Sequence, residues 1–370
     1  MKRLIVLLLA GLSTCASAAP LRVGIVGLVH GHVSGFFHAS ALTPAGGILQ
    51  RPDVELVGIV EPDQKLFDAY ARRYHLSPGL HFNSIAEMVA RAHPQAALVF
   101  TAASDHRRVV EECAALGVHV MMEKPLAFRY EDALAIERAA KRANIHVLVD
   151  YETSWYASNA QASQLLADGA LGTLVKVVFR DGHQGPKKIG VQPEFMQWLL
   201  DPNKNGDGAL TDFGCYGPDL LTSMLHGEAP LSVTAIAKSL QPDLYTGVDD
   251  EADILLNYKH SVAIVQASWN WPFSIKEMDV YGSTGYAKAL DSSTLDVRRK
   301  GDKAGSIETG KPLPPPYDDP LHYLEAVLSG QVQEGDSLSA LKTNITITEI
   351  LDAARRSVQT GKTIPLPLAE

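Results

Sequence analysis

The first 150 residues alternate short apolar runs with segments of helical periodicity, and this alternation restricts the fold more than any other feature. The apolar runs are rich in Val and Ile, and the segments between them place apolar residues at helical spacing, several after an Asp or Ser that can cap a helix. Such an alternation predicts a doubly wound parallel sheet. The predicted strands span residues 21–27, 54–60, 96–102, 118–122 and 145–151, and the predicted helices span 63–74, 84–91, 105–116 and 130–143.

The pattern changes after about residue 157. A helix predicted over 160–167 is followed by long alternating runs at 174–180, 231–239, 252–258, 262–271 and 277–282, separated by turn signals. This spacing predicts a largely antiparallel open sheet. A proline-rich connector at 311–316 precedes two final helices, predicted over 321–328 and 337–359. We therefore expect a doubly wound domain over residues 19–150 and a C-terminal α/β domain over 151–370, whose last helices pack back on the first domain.

The N-terminus has the three parts of a secretory signal. Lys2 and Arg3 precede the apolar run 4–12, and Ala16-Ser17-Ala18 offers a small-x-small cleavage pattern. Nine apolar residues are too few to span a bilayer, so no membrane span is predicted. We expect a signal peptide over residues 1–18, cleavage after Ala18, and a periplasmic or secreted protein.

The mature chain would be acidic. Removing Lys2 and Arg3 leaves 31 basic residues of the original 33 against 42 acidic residues, so the formal net charge moves from -9 to -11. Such a surface repels nucleic acids and anionic lipids, and neither is an expected partner. Cys113 and Cys215 remain after cleavage. Two cysteines far apart do not make a disulfide scaffold, although one bridge stays an alternative.

Two short stretches supply a lysine, an acid and a phenol. Met122-Glu123-Lys124-Pro125 follows a predicted buried strand, and the stretch 208–216 contains Asp212 and Tyr216. Lys124 therefore stands at the carboxyl end of a strand, where open α/β sheets bind ligands. Together the three groups can transfer protons beside a nicotinamide.

The order of these features resembles the Gfo/Idh/MocA family, named for glucose-fructose oxidoreductase and inositol dehydrogenase. The matching pieces are a glycine turn after the first strand, an acid after the second, His106, Glu123-Lys124-Pro125 and the stretch 212–219, and they cover nearly all of the mature chain. The resemblance implies an oxidoreductase that uses NAD or NADP, with a cofactor-binding Rossmann domain over residues 19–150 and a substrate and oligomerisation domain over 151–370. It also implies that Glu123, Lys124 and Pro125 contact the cofactor and that His106 lies near the nicotinamide ribose.

The glycine turn departs from the dinucleotide fingerprint Gly-x-Gly-x-x-Gly. The chain reads Gly27-Leu28-Val29-His30-Gly31-His32, so Val29 takes the second glycine position and His32 the third. In one interpretation the loop is remodelled, Gly31 and Gly35 serve instead, and His30 or His32 donates to phosphate. In the other, dinucleotide binding is impaired. We adopt the remodelled loop because the other cofactor-facing features are present.

Glu61 ends the second predicted strand at the separation from the glycine turn at which an acid holds the adenosine ribose. A carboxylate there repels a 2′-phosphate, so we expect NAD rather than NADP. A solvated acid that begins the next loop is the alternative.

For catalysis, the resemblance implies that Lys124 lies near the transferred hydrogen and that Tyr216 takes the place of a histidine found in many members. A phenol is a poor base at its reference pKa of about 10, but a neighbouring ammonium such as Lys124 would lower that pKa. Asp212 would orient the substrate or the lysine. A structural tyrosine, and a lysine paired with Glu123, are the alternatives.

The substrate-facing candidates are His183, Trp155, Trp269 and Trp271. Aromatic faces beside polar groups suit a sugar ring, although Trp269 and Trp271 fit an oligomer interface equally well. Trp155 lies in a stretch that differs from the family's usual Asn-x-Arg, which indicates a distinct pocket. We predict no metal site, and a homo-oligomer formed through the C-terminal sheet.

The leading hypothesis is an exported NAD-dependent oxidoreductase that acts on a sugar, a polyol or a related carbohydrate. Because free NAD is scarce outside the cytoplasm, we expect a tightly held cofactor. One alternative is a glycoside hydrolase, lyase or epimerase that uses transient oxidation. Another is a noncatalytic carbohydrate-binding protein on a decayed dehydrogenase fold.

Overall fold

Two β-sheets with flanking helices make up the protein, which is described from a computed structural model covering residues 19–368 of the 370. The predicted signal peptide lies outside the described residues. Among the described residues, no helix combines the length and the apolar character needed to cross a bilayer. Cys113 and Cys215 are buried free thiols, so the alternative of a bridge between them is wrong.

The first sheet has six strands, all parallel, in the order β3-β2-β1-β4-β5-β6. Helices cover both of its faces, and every residue of its central strand β4 is buried, as expected for a parallel sheet. The predicted doubly wound sheet is therefore confirmed. Its strands are β1 (Leu21–Val26), β2 (Val54–Val60), β3 (His81–Phe82), β4 (Ala96–Val99), β5 (His119–Glu123) and β6 (Val147–Asp150).

Two helices of this half begin after a capping residue that the sequence indicated, whereas Asp105, before α4, makes no capping hydrogen bond. The Asp63 side chain accepts hydrogen bonds from two backbone N–H groups of the first turn of α2, and Ser84 caps α3 in the same way. The first helix is short, with five residues, and follows the unusual glycine turn directly. The helices are α1 (Val33–Phe37), α2 (Gln64–Tyr74), α3 (Ile85–Ala92), α4 (His106–Ala115) and α5 (Tyr130–Ala143).

The second sheet has nine strands in the order β14-β13-β12-β11-β7-β10-β9-β8-β15. Among the described strand pairs of this second sheet, only β7–β10 is parallel, so the predicted largely antiparallel sheet is confirmed. The strands are β7 (Leu174–Gly182), β8 (Ser232–Lys238), β9 (Glu251–Asn257), β10 (Val262–Ser268), β11 (Ile275–Gly282), β12 (Tyr286–Ala289), β13 (Thr294–Arg298), β14 (Ser306–Thr309) and β15 (Ile364–Pro365).

The remaining helices join the two sheets. α12 packs against both β8 and α5, and the Val149 N–H donates to the Ser339 carbonyl just before α12 begins. α12 starts at Leu341 rather than at Ser337, because residues 337–340 form a turn that bridges to Leu148 in β6. These helices are α6 (Ala157–Ala167), α7 (Pro186–Ile189), α8 (Pro193–Leu199), α9 (Ala209–Asp212), α10 (Tyr216–Met224), α11 (Pro320–Leu328) and α12 (Leu341–Thr360).

Candidate active site

The glycine turn after β1 keeps its first glycine for a steric reason. Gly27 has φ +83°, and a Cβ there would lie 3.0 Å from the Phe100 carbonyl oxygen and 2.6 Å from the Thr101 methyl group. Both the backbone conformation and the close approach exclude a side chain. The turn therefore retains the tight geometry of a dinucleotide-binding loop at its first position.

The Glu61 carboxylate, at the end of β2, lies against this turn. It is 4% exposed and accepts hydrogen bonds of 2.9 Å from the Leu28 and Asp63 backbone N–H groups. Burial raises its pKa. The alternative of a solvated acid is wrong, because the carboxylate faces inward. A contact between Glu61 and a ribose stays a prediction.

The rest of the glycine loop is covered by the C-terminal domain. The Trp198 indole N–H donates to the Val29 carbonyl at 3.2 Å, and the ring of Phe195 packs against that of His30 in a tilted arrangement, with 4.5 Å between the ring centres. A Cβ on Gly31 would lie 2.5 Å from the Gln192 side-chain oxygen and 3.0 Å from the Phe195 ring, so Gly31 packs closely against the start of α8. Gly35 lies within α1, one turn further along.

The two loop histidines share one carboxylate. His32 Nδ1 lies 3.0 Å from Glu123 Oε1, and His30 Nε2 lies 3.9 Å from Glu123 Oε2. His30 and Glu123 are each 2% exposed, whereas the His32 side chain is 29% exposed. Burial, with the neighbouring His32 and Lys124, holds the pKa of His30 well below its usual value. His30 is therefore neutral. The contacts of both histidines with Glu123 hold the loop close to the end of β5.

Lys124 and Asp212 form a buried ion pair. Lys124 Nζ donates to Asp212 Oδ1 at 2.7 Å and to the Asp212 carbonyl at 2.9 Å, and the Trp269 indole N–H donates to Asp212 Oδ2 at 3.0 Å. Burial opposes both charges, but each partner outweighs it, so the pKa of Lys124 is raised and that of Asp212 is lowered. The lysine is an ammonium, and its partner is Asp212 rather than Glu123.

Tyr216 corrects one expectation. Lys124 Nζ and Lys276 Nζ lie 5.2 and 5.1 Å from the centre of its ring, in cation–π contacts, and the hydrogen bonds of Lys124 Nζ go to Asp212. Burial and the carboxylate of Glu152 raise the Tyr216 pKa well above its usual value. The predicted lowering by Lys124 is wrong because the ammonium charge is directed at Asp212. Tyr216 is a neutral phenol, suited to donating a hydrogen bond.

These groups open on one cavity of about 570 Å³. Lys124, Asp212, Tyr216 and His183 line it from one side, and His32 lines it from the glycine loop. Burial lowers the pKa of His183, whose Nδ1 accepts from the Gly185 N–H at 2.9 Å. The cavity thus gathers the predicted catalytic trio and one predicted substrate residue.

Three predicted substrate residues lie elsewhere. Trp269 is fully buried and holds Asp212 from behind, so its indole is a support for the acid rather than a sugar platform. Trp155 packs against Tyr323 and donates to Asp150, outside this cavity. Trp271 packs over the Gly182 backbone and is not among the lining residues.

His106 lies beneath the Glu-Lys-Pro stretch. It is 1% exposed, and its Nδ1–H donates to the Pro125 carbonyl at 3.0 Å, so it fixes the backbone that carries Lys124. Burial lowers its pKa. The alternative of a merely exposed residue is wrong, and proximity to a ribose stays a prediction.

Sequence reasoning missed an ion pair beside the Tyr216 ring. Lys276 contacts Glu152, and the Glu152 pKa is lowered to about 2 because Lys276 outweighs its burial. Both residues line the cavity. Glu152 stood in the stretch that departs from the family pattern, which was a usable signal. Lys276 is one of several lysines on alternating strands, and nothing in its sequence context distinguished it.

The fold and the site define an α/β oxidoreductase with a dinucleotide-binding domain and a second domain that closes the catalytic cavity. The model of an oxidoreductase family with an NAD-binding Rossmann fold matches residues 21–151, and the model of the GFO/IDH/MocA C-terminal domain matches residues 159–288. The chain belongs to the Gfo/Idh/MocA family of oxidoreductases, and its first domain is an NAD-binding Rossmann domain. The resemblance inferred from the motifs is confirmed.

Named relatives agree with this assignment. Trans-1,2-dihydrobenzene-1,2-diol dehydrogenase of Sus scrofa is 24% identical over 264 residues, which cover 70% of this chain and 73% of the relative. The aldose-aldose oxidoreductase of Caulobacter crescentus superposes with a TM-score of 0.78 at 21% identity, over 94% of this chain and 100% of that one. An inositol dehydrogenase homologue of Azotobacter vinelandii, complexed with NAD⁺, gives 0.78 at 20% identity, over 94% and 98%.

Proposed function

We propose that this protein is an exported, NAD-dependent oxidoreductase that interconverts a carbinol and a carbonyl on a sugar, a polyol or a related small polyhydroxylated compound. The observation that carries the proposal is the buried Lys124–Asp212 pair at the edge of a cavity that Tyr216 and His183 also line. Names of two relatives, a diol dehydrogenase and an aldose oxidoreductase, support the substrate class.

The residues at the strand ends fit a dinucleotide. Gly27 allows the close turn, and Glu61 supplies a carboxylate behind it. Glu123 ends β5, and Lys124 and Pro125 follow it at the same edge of the sheet. When bound, NAD supplies the hydride acceptor or donor. The buried charge of Glu61 disfavours a 2′-phosphate, which supports NAD over NADP.

The chain's own groups polarise the substrate oxygen. Lys124 Nζ has three N–H groups, of which two bond to Asp212, and the third is available to the cavity. Tyr216, as a neutral phenol, can donate to the same oxygen. An ammonium and a phenol stabilise the negative charge that develops when a carbinol loses its proton, and such aimed donors are the largest single contribution in many enzymes.

The other polar groups of the cavity suit a hydroxylated ligand. Glu152 and Lys276 present a paired carboxylate and ammonium, and His183 adds an imidazole. Several hydroxyl groups on neighbouring carbons can each find a donor or an acceptor among these groups.

The test begins with protein purified from its own host. Mass spectrometry of the denatured protein should detect NAD, and absorbance at 340 nm should rise when aldoses and polyols are added one at a time. Lys124→Met should abolish the rise, whereas Lys65→Met, on the exposed face of α2, should leave it unchanged. No NAD bound or taken up, and no reduction with any sugar, would contradict the proposal. Product formed without net NADH would instead indicate the redox-neutral alternative.

A further inference from the structure

The proposed carbinol oxidation, on which this inference rests, needs a group that accepts a proton. Lys124 and Tyr216 are both protonated at neutral pH, and both act as donors toward the substrate oxygen. His183 is no better suited. Its Nδ1 already accepts from the Gly185 N–H, so in the neutral ring the hydrogen sits on Nε2, and the free nitrogen is a donor.

His32 has the opposite arrangement. Its Nδ1 lies 3.0 Å from Glu123 Oε1, and an ionised carboxylate can only accept, so Nδ1 carries the hydrogen and Nε2 keeps its lone pair. The carboxylate is 2% exposed at the end of β5, whereas the imidazole is 29% exposed and lines the cavity with Lys124 and Tyr216. A buried acid that orients a partly exposed imidazole is the arrangement of a general base with its orienting residue.

His30 strengthens this arrangement. Its Nδ1 accepts from the His32 backbone N–H at 3.2 Å, so in the neutral ring the hydrogen sits on Nε2, 3.9 Å from Glu123 Oε2. The carboxylate is therefore faced by an N–H from each imidazole. The ligand-type atoms of the three residues lie within 4.8 Å of one another, as in a metal site. The hydrogen bond from the His32 backbone N–H to His30 Nδ1 favours the tautomer with its hydrogen on His30 Nε2, and a metal bound there would need that nitrogen unprotonated.

We propose that His32 is the proton acceptor of the reaction and that Glu123 is its positioning residue. In the oxidation direction the O–H bond of the carbinol breaks and its proton goes to His32 Nε2. The electron pair of that bond becomes the second C–O bond as the C–H hydride leaves to NAD. Glu123 holds the tautomer and stabilises the imidazolium. The histidine that replaces the third glycine of the fingerprint thus gives this chain a base on its cofactor loop.

The first test reads the tautomer and does not depend on turnover. In protein labelled with ¹⁵N-histidine, with His32 assigned by its loss in His32→Gln, Nε2 should resonate as an unprotonated nitrogen and Nδ1 as a protonated one. Glu123→Gln should shift the ring toward a mixture of tautomers, whereas Glu131→Gln, on the exposed start of α5, should leave it unchanged. A protonated Nε2 in the neutral ring of the unmutated protein would contradict the proposed pairing of His32 with Glu123.

The second test reads proton transfer. His32→Ala should lower turnover by about 10²- to 10⁴-fold, the usual contribution of a placed acid or base. Added imidazole should restore a measurable part of it, and the Kd for NAD should stay within a few-fold. His260→Ala, in the exposed turn between β9 and β10, should leave turnover unchanged with and without imidazole.

Three outcomes would count against the proposal. Lost turnover that imidazole does not restore would remove the proton role, and a tenfold weaker binding of NAD would make His32 a cofactor contact. Zinc binding that is lost in both His30→Asn and His32→Ala, and that activates the enzyme, would identify a metal site. If the unmutated protein oxidises no sugar, the proposed function fails. The tautomer experiment still shows whether Glu123 fixes the tautomer of His32.

Discussion

Removing the charge of Asp212 should unbalance the buried ion pair on which the site is built. Asp212→Asn keeps the shape of the side chain and a hydrogen-bonding oxygen, but it leaves the Lys124 ammonium buried without a counter-charge. Breaking one partner of a buried pair typically costs about 3–5 kcal/mol. The buried lysine can avoid carrying an unpaired charge by losing its proton. From a reference pKa of about 10.4, deprotonation at pH 7 costs about 4.6 kcal/mol, so Asp212→Asn should lower the free energy of unfolding by no more than about this amount.

The pH dependence carries the signature of the pair. In the unmutated protein the raised pKa of Lys124 contributes stability that is full below about pH 10.4 and is lost as the pH rises through the raised value. The lowered pKa of Asp212 contributes stability that is full above about pH 3.9 and is lost as the pH falls through the lowered value. The pair therefore adds no slope between about pH 5 and 9.

The variant should behave differently. If Lys124 is neutral in the folded Asp212→Asn protein and charged in the unfolded chain, the unfolded state binds more protons, and the free energy of unfolding rises with pH by up to about 1.4 kcal/mol per unit. Denaturant titrations at pH 7 and pH 9 measure this. Asp336→Asn is the matched control, since it breaks a partly exposed 2.8 Å pair with Lys342 and should cost about 0–1 kcal/mol at both pH values. Equal losses in the two variants, with no slope, would refute the reasoning.

Three further predictions concern the phenol, the cofactor and export. Tyr216→Phe should lower kcat by about 10²-fold or more at unchanged Kd for NAD, because it removes a donor to the substrate oxygen; an unchanged kcat measured at 340 nm would assign the phenol a packing role. Glu61→Ser should weaken NAD and relax discrimination against NADP in calorimetric titrations, whereas Asp63→Ser keeps a residue that caps α2 and should change neither; tight NADP binding by the unmutated protein would show that Glu61 does not discriminate. N-terminal sequencing of protein from the periplasm of a Gram-negative host should begin at Ala19, and an intact Met1 would contradict export.

The fold could be predicted from the sequence because its strongest signals are local. Runs of Val and Ile bounded by capping Asp63 and Ser84 specify strands and helices without knowledge of the rest of the chain. The short strands β12, β13 and β14 were missed because runs of only four or five residues carry too few alternations to be recognised. Their pairing depends on β11, which is a tertiary condition.

The site could be predicted only in part, because its contacts depend on the tertiary structure. Lys124, Asp212 and Tyr216 were found because they occur in motifs, and the structure brings them to one cavity. Their electrostatics depend on which atoms face each other, so the sequence placed the ammonium beside the phenol oxygen, whereas the ammonium pairs with Asp212. Trp269 looked like a substrate platform because a sequence cannot tell a buried indole from an exposed one.

The cover that α8 forms over the glycine loop has a kinetic consequence. Gln192, Phe195 and Trp198 contact the loop and belong to the other half of the chain. Gln192 and Phe195 also line the cavity that contains Lys124. A displacement of α8 would therefore open the glycine loop and the cavity together. If a dinucleotide binds at the loop, we expect its exchange and the exchange of the substrate to be coupled through this one helix.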